Sequence, residues 1–161
     1  MLRRRIVVFG LCTGVVLAGL LPGAAGAQEE WLELLRSDIK TEKVALLTEA
    51  MEFTPEEAEI FWPIYREYDL ELAKLGDTRL ALIKDFAANY ENMTEAKAKE
   101  LAQKTFKLDA DRLKLQQKYY QKVEKALSAT EAARFIQVER QIRLLIDLQI
   151  AAEMPLIRKG M

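Results

Sequence analysis

The sequence predicts an all-α protein built from about four helices. Residues that favour helices, chiefly Ala, Leu, Glu, Lys and Gln, dominate the chain after residue 27. The strict alternation of apolar and polar residues that marks half-buried strands is absent. Gly76 is the only glycine between residues 28 and 159, so little interrupts a helical path. Long helices are therefore expected.

The N-terminal segment predicts a secretory signal peptide. Three arginines at residues 3–5 precede an apolar run over residues 6–21, and a small-residue stretch ends at Ala27. This order is typical of a signal that is removed on export. We therefore expect cleavage after Ala27, a single helical domain over residues 28–161, and no membrane anchor afterwards. An uncleaved anchor is the alternative, although its apolar run is short against the roughly 20 residues of a full span.

The first helix is predicted over Ser37–Met51. Ser37 is a suitable N-cap, because its hydroxyl can accept a hydrogen bond from the backbone of the first turn. The partial apolar face of this helix consists of Ile39, Leu46 and Leu47. The preceding segment, Trp31–Leu35, is either helical or packs as an arm.

The second helix is predicted to begin at a capping box. The Thr54 hydroxyl can accept a hydrogen bond from the Glu57 N–H, while the Glu57 carboxylate reaches back to the Thr54 N–H. Pro55 takes the first helical position, where its missing N–H costs nothing. The helix is expected to run to about Ala88. Its apolar positions recur mostly every three to four residues: Phe61, Tyr65, Tyr68, Leu72, Leu75, Leu82 and Phe86.

Pro63 lies inside this second helix. A proline removes the hydrogen bond to the carbonyl four residues earlier and clashes with it, so we expect a kink near Glu59–Trp62. The alternative is a break, with Pro63 starting a new helix.

The third helix is predicted from Thr94 to about Ala126 with two apolar seams. One seam consists of Leu101, Leu108, Leu115 and Tyr119. The other consists of Ala102, Phe106, Leu113, Tyr120 and Val123. Two seams predict contact with more than one neighbouring helix.

The fourth helix is predicted to begin at a second capping box. Ser128 and Glu131 take the places that Thr54 and Glu57 hold in the first. The helix is expected to run to about Glu153, just before Pro155. Its apolar positions are Phe135, Val138, Ile142, Leu145 and Ile146.

Charge is unevenly distributed along the chain. Residues 28–93 hold seven basic and 16 acidic residues, whereas residues 94–126 hold nine basic and five acidic residues. In one interpretation the basic third helix packs beside acidic helices and is neutralised there. In the other it offers a basic surface to acidic or unfolded partners. Nucleic acid is a poor candidate partner for a chain that is exported and net acidic.

The composition also excludes much catalytic chemistry. The chain has no histidine, and its only cysteine, Cys12, lies in the predicted signal peptide. A nucleophile paired with histidine and an imidazole or thiolate metal site are therefore ruled out. No pair of carboxylates stands out for acid–base work. We expect a protein that is not an enzyme and that holds neither a metal nor a cofactor.

The two predicted capping boxes resemble each other. Each has an apolar residue, a hydroxyl cap, a glutamate three positions after the cap, then an alanine, and a phenylalanine seven positions after the cap. The copies are Phe53-Thr54-Pro55-Glu56-Glu57 and Leu127-Ser128-Ala129-Thr130-Glu131. They resemble the paired LTxxQ motif of the Spy/CpxP family of periplasmic helical proteins, with Glu in place of Gln in both. The run Ile39–Met51, followed by Phe53–Tyr68 with Phe61-Trp62-Pro63-Ile64-Tyr65, is similar to small exported bacterial proteins that are grouped with that family as sensors of extracytoplasmic sigma factors.

The resemblance implies long, kinked antiparallel helical hairpins that pair as a cradle-like homodimer. It also implies a periplasmic, ATP-independent chaperone-like or envelope-stress binding protein that holds unfolded or partner polypeptides. The alternative is a regulatory partner of a membrane stress or metal sensor, without general chaperone activity. Metal-sensing relatives rely largely on histidine-rich patterns, which this chain does not have.

Basic and aromatic residues supply the candidate client surface. Long basic side chains beside adaptable aromatic rings can hold apolar and acidic segments without a fixed register. The candidates are Trp62, Tyr65, Arg112, Lys114, Lys118, Tyr119, Tyr120 and Lys122. The alternative is that these aromatic residues belong to the core, as aromatic side chains at helical spacing commonly do.

Overall fold

A computed structural model of the chain describes residues 42–158, which form four helices. The first, α1, comprises helical residues 42–51, and the others are α2 (Pro55–Asn89), α3 (Glu95–Ala126) and α4 (Ala129–Glu153). The prediction of an all-α fold with four helices is confirmed. The predicted signal peptide, the Trp31–Leu35 segment and the Ser37 cap lie outside the described residues.

The start of α2 has the predicted capping box. Thr54 Oγ1 accepts a hydrogen bond from the Glu57 N–H at 3.2 Å, and Glu57 Oε2 accepts one from the Thr54 N–H at 2.9 Å. Just before it, Glu52 adopts a positive φ of 52°, which turns the chain between α1 and α2. The two helices are thus joined by a tight, locally specified connection.

α2 passes through Pro63 without ending. The helix is continuous from Pro55 to Asn89 with Pro63 inside it, so the alternative of a new helix at Pro63 is wrong. Phe61 and Tyr65, on either side of Pro63, are buried in the core. Their packing holds the helix together where the proline removes one hydrogen bond. The predicted kink stays a prediction.

The other two caps also match their predicted positions. Thr94 Oγ1 accepts from the Lys97 N–H at 3.1 Å, and Ser128 Oγ accepts from the Glu131 N–H at 3.1 Å. The second capping box is only half formed, because one carboxylate oxygen of Glu131 is buried without a hydrogen-bond partner. The connections at both ends of α3 are therefore fixed mainly by the hydroxyl caps.

The core lies at one end of the helical assembly. α2 packs along α3, and α3 packs along α4. Near the start of α2 and α4 and the end of α3, a cluster rich in aromatic rings is shielded from solvent together with residues of α1. Its members are Leu47, Met51, Phe61, Tyr65, Tyr68, Leu115, Tyr119, Val123, Ala132 and Phe135. Burial of these side chains is the main source of stability.

The second predicted seam of α3 packs only in part. Val123 is buried, but Phe106 is 71% exposed and Leu113 is 56% exposed. These two positions lie roughly 120–140° around the helix from the buried seam that begins at Leu101, since each residue advances 100°. α3 packs on both α2 and α4, and Tyr120 and Val123 of the second seam take part in or lie against the core, so the predicted contact with more than one neighbouring helix is confirmed.

Candidate functional site

The two candidates on α2 belong to the core or lie against it. Tyr65 is buried, and its ring lies 5.8 Å from Phe61 and 6.3 Å from Phe135 between centroids. Trp62 is half-buried and meets Tyr65 edge to face at 5.5 Å. This geometry favours the packing interpretation for Tyr65 and leaves Trp62 only partly accessible.

Most of the α3 candidates are engaged with α2. The Tyr119 hydroxyl donates to Glu71 Oε1 at 2.8 Å, and Tyr119 is buried. Lys118 Nζ donates to the same carboxylate oxygen at 2.6 Å, and Lys122 Nζ donates to Glu67 Oε2 at 2.6 Å. The hydrogen bonds from Lys118 and Tyr119 lower the pKa of Glu71. These contacts favour the interpretation in which the basic helix packs on an acidic one.

The remaining α3 candidates are divided between interior and surface. Arg112 is buried, with 8% of its surface exposed. Tyr120 is half-buried, and its hydroxyl donates to Glu124 at 3.2 Å. Lys114 has a side chain that is 77% exposed and lies 3.9 Å from Asp111. The candidates therefore do not form one shared surface, and Lys114 is the most accessible of this group.

A surface that the sequence analysis did not single out lies between α3 and α4. The α3–α4 groove is a shallow depression of about 500 Å³ lined by Tyr120, Ala133, Ile136, Gln137, Arg140, Gln141 and Leu144. Phe106 and Leu113 precede Tyr120 at seven-residue steps, so they share its side of α3. On α4, Leu148 follows Leu144 by one turn and is equally solvent-exposed. Large apolar side chains thus continue from the groove along both helices.

A buried polar network joins α1 to α2 and α4. Lys43 Nζ lies 3.1 Å from Glu139 Oε1 and 3.7 Å from Asp69 Oδ1, and the Tyr68 hydroxyl donates to Glu139 Oε2 at 2.9 Å. Burial raises the pKa of Glu139, while Lys43 and the Tyr68 hydroxyl oppose that rise. The pKa of Tyr68 is raised by burial and by the Glu139 charge.

This network was missed by the sequence analysis, although one signal was available. Glu139 stands four residues after Phe135 and three before Ile142, so it shares their buried face of α4. Its partner Lys43 has no comparable signal. Because every charge in the network has an opposite neighbour, its geometry fits a structural role better than a catalytic one.

Residues 42–158 contain neither a candidate metal site nor a candidate membrane-spanning helix. No group of three or more acidic, cysteine or histidine side chains there is arranged to hold a metal ion. No helix in the same range combines the length and apolar character needed to cross a membrane.

No protein-family model, curated protein or solved structure matches this chain. The resemblance to the Spy/CpxP family therefore stays a prediction, as do the export signal and the homodimer.

Proposed function

We propose that this protein is a periplasmic, ATP-independent chaperone-like or envelope-stress binding protein that holds unfolded or partner polypeptides in the α3–α4 groove. The observation that carries this proposal is the exposure of Phe106 and Leu113, which lie on the same side of α3 as the groove residue Tyr120. Large contiguous apolar surfaces on a soluble protein usually mark an interaction site.

The groove suits an extended chain with apolar and acidic side chains. Its lining includes the apolar side chains of Ile136 and Leu144 and the cationic Arg140, and Gln137 and Gln141 add amide groups that can donate or accept hydrogen bonds. A shallow surface of this kind binds many sequences weakly, because no deep pocket selects one side chain. We therefore assign the client surface to the outer side of α3 and α4 and not to Tyr65 and Tyr119, which are buried.

The test measures whether the purified protein suppresses aggregation of several unrelated proteins as they unfold. We expect suppression at near-stoichiometric amounts without ATP. The double variant Phe106→Ser, Leu113→Ser should require at least several-fold more protein for the same effect, because it removes apolar contact area. Leu70→Ser is the matched control, since Leu70 is comparably exposed but lies on α2.

Three outcomes separate the alternatives. If the protein suppresses the aggregation of none of the clients, the chaperone function is overturned. An equal loss in the Leu70→Ser control shows that the groove is not the client surface. Capture of one specific membrane sensor, together with little general suppression, supports the regulatory alternative instead.

A further inference from the structure

A second cavity lies at the end of the helices away from the aromatic core. This distal cleft, between the end of α2, the start of α3 and the end of α4, has a volume of about 320 Å³. Most of its lining is apolar: Leu82, Ile83, Phe86, Leu101, Leu108, Ile150 and Met154. Its polar lining consists of Arg79, Thr105, Asp109, Arg112 and Asp147.

Charged side chains from three helices meet at the polar side of the distal cleft. Arg79 Nη1 lies 2.6 Å from Asp147 Oδ1, and Arg143 Nε lies 3.6 Å from Asp147 Oδ2. Arg112 contributes a third guanidinium, and Asp109 is the other carboxylate that acts on it. Arg79 and Arg112 thus line the cleft together with Asp109 and Asp147, and Arg143 contacts Asp147 without belonging to the lining.

Arg112 has a buried N–H group to which a ligand could supply the missing hydrogen-bond acceptor. The residue is more than nine-tenths buried, and its Nε has no hydrogen-bond partner among the described residues. Burial lowers its pKa, and repulsion by Arg79 and Arg143 lowers it further. A buried N–H group without an acceptor is costly, whereas a carboxylate can accept two parallel hydrogen bonds from a guanidinium. A bound anion would therefore relieve both the desolvation and the repulsion.

The apolar side of the distal cleft is incompletely covered. Leu82, Phe86 and Ile150 are only half-buried, in contrast to the closed aromatic core at the other end. An aliphatic chain lying over these side chains would complete their burial. The cleft volume falls at the small end of ligand pockets, which span roughly 300–1,000 Å³.

From this geometry we propose that the distal cleft binds a medium-chain fatty carboxylate. The carboxylate accepts hydrogen bonds from Arg112, and the aliphatic chain covers Leu82, Phe86 and Ile150. This proposal is independent of the function proposed for the α3–α4 groove, because Arg112 and the apolar lining do not belong to that groove.

Isothermal titration of the purified protein with decanoate, below its micelle concentration, tests the proposal. Decanol, which has the chain without the charge, and acetate, which has the charge without the chain, should each bind at least tenfold more weakly. Decanoate should also raise Tm, since a ligand that binds only the folded state stabilises it. Equal binding of decanoate and decanol would overturn the assignment of Arg112 as the anion site.

Two variants localise the binding. Arg112→Met keeps the length and apolar character of the side chain and should abolish the preference for decanoate over decanol. Thr105→Trp places a large ring at the exposed rim of the distal cleft and should block both ligands. Arg140→Met is the control, because Arg140 lines the α3–α4 groove and should leave decanoate binding unchanged.

Two results would place the ligand elsewhere. Unchanged decanoate binding in Thr105→Trp, which keeps Arg112 and perturbs only an exposed position, overturns the proposal even if Arg112→Met fails to fold. Loss of decanoate binding in the Phe106→Ser, Leu113→Ser variant, with Thr105→Trp unaffected, assigns the ligand to the α3–α4 groove.

Discussion

Lys43 is the charged residue through which α1 contacts α2 and α4, in addition to the apolar contacts of Leu47 and Met51. Its ammonium group pairs with Glu139 at 3.1 Å and lies 5.4 Å from the ring centroids of both Tyr65 and Tyr68. The side chains of Lys43 and Glu139 are both at least nine-tenths buried. Two charges in this position tolerate burial only together, because each offsets the desolvation cost of the other.

Breaking this pair from one side should destabilise the protein strongly. Lys43→Met leaves the Glu139 carboxylate buried without its nearest cation, and the free energy of unfolding at pH 7 should fall by about 3–5 kcal/mol. The double variant Lys43→Met, Glu139→Met should recover most of that loss, because it replaces the pair with apolar side chains of similar size. Urea unfolding of the wild type, both single variants and the double variant measures the coupling. Additive losses would show that the two charges do not depend on each other.

At the scale of single residues, sequence reasoning succeeds where the interaction is local. The capping box at Thr54 and Glu57 could be predicted because its two partners stand three positions apart. The Lys43–Glu139 pair could not, because it depends on how α1 packs against α4. Tyr119 was misleading for the same reason. Its position beside basic residues fits a binding surface, and only the tertiary contact with Glu71 shows otherwise.

α2 is the longest helix in the described residues, and Gly76 lowers its stability locally. Gly76 is exposed, and a side-chain carbon added there meets no atom within 4 Å. Gly76→Ala should raise the free energy of unfolding by about 0.5–1 kcal/mol, because alanine has less backbone freedom to lose on folding. Ala81→Gly, at another exposed position of α2, should lower it by a similar amount. Denaturant midpoints measure both changes.

A destabilising Gly76→Ala would contradict this account of α2. It would mean that residue 76 adopts backbone dihedral angles outside the helical range, or that a side chain there contacts a neighbouring residue. The Ala81→Gly control separates a general effect on α2 from one confined to position 76.

At the scale of helices, local sequence patterns predicted where three helices begin but not which of their faces a neighbouring helix covers. Thr54, Thr94 and Ser128 mark three helix starts, since a hydroxyl cap depends only on the next turn. Pro63 left two alternatives open because proline disfavours a helix interior locally, whereas buried neighbours can hold the helix intact. The two seams of α3 correctly predicted contact with two neighbouring helices, but periodicity shows only which residues share a face, and Phe106 and Leu113 stay exposed. Whether a neighbour covers that face depends on the other helices.

Across the whole molecule, the two ends of the helical assembly differ in how they are held. One end has the closed aromatic core, and the other has the distal cleft with its half-buried apolar lining. Between them, ion pairs such as Lys118–Glu71 and Lys122–Glu67 connect basic α3 to acidic α2. Exposed pairs of this kind contribute little individually and are screened by salt. Stability should therefore depend mainly on the core end, where its pH dependence is also set.

The contribution of Glu139 to the free energy of unfolding should decrease as pH rises, because the pKa of its carboxyl group is raised in the folded protein. Burial raises the pKa of Glu139 in the folded state, so between its unfolded and folded pKa values the native protein binds more protons than the unfolded chain. The contribution of Glu139 is then fully present below its unfolded pKa and is lost as pH rises through the folded pKa. Glu71 contributes in the opposite direction, because its pKa is lowered and its contribution is lost as pH falls.

Comparison with Glu139→Gln isolates this effect from the other carboxyl groups. The free energy of unfolding of the wild type minus that of the variant should decrease as pH rises above about 4.3, the usual pKa of glutamate, with a slope of at most about 1.4 kcal/mol per pH unit. Urea unfolding at intervals between pH 4 and pH 8 measures it. For Glu71→Gln the difference should instead rise with pH, and only at the acidic end of this range, because the folded pKa of Glu71 lies below its unfolded value. An increase with pH for Glu139→Gln would mean that Lys43 and Tyr68 outweigh burial. The network would then stabilise the ionised carboxylate, and α1 would be held most tightly at neutral pH instead of under acidic conditions.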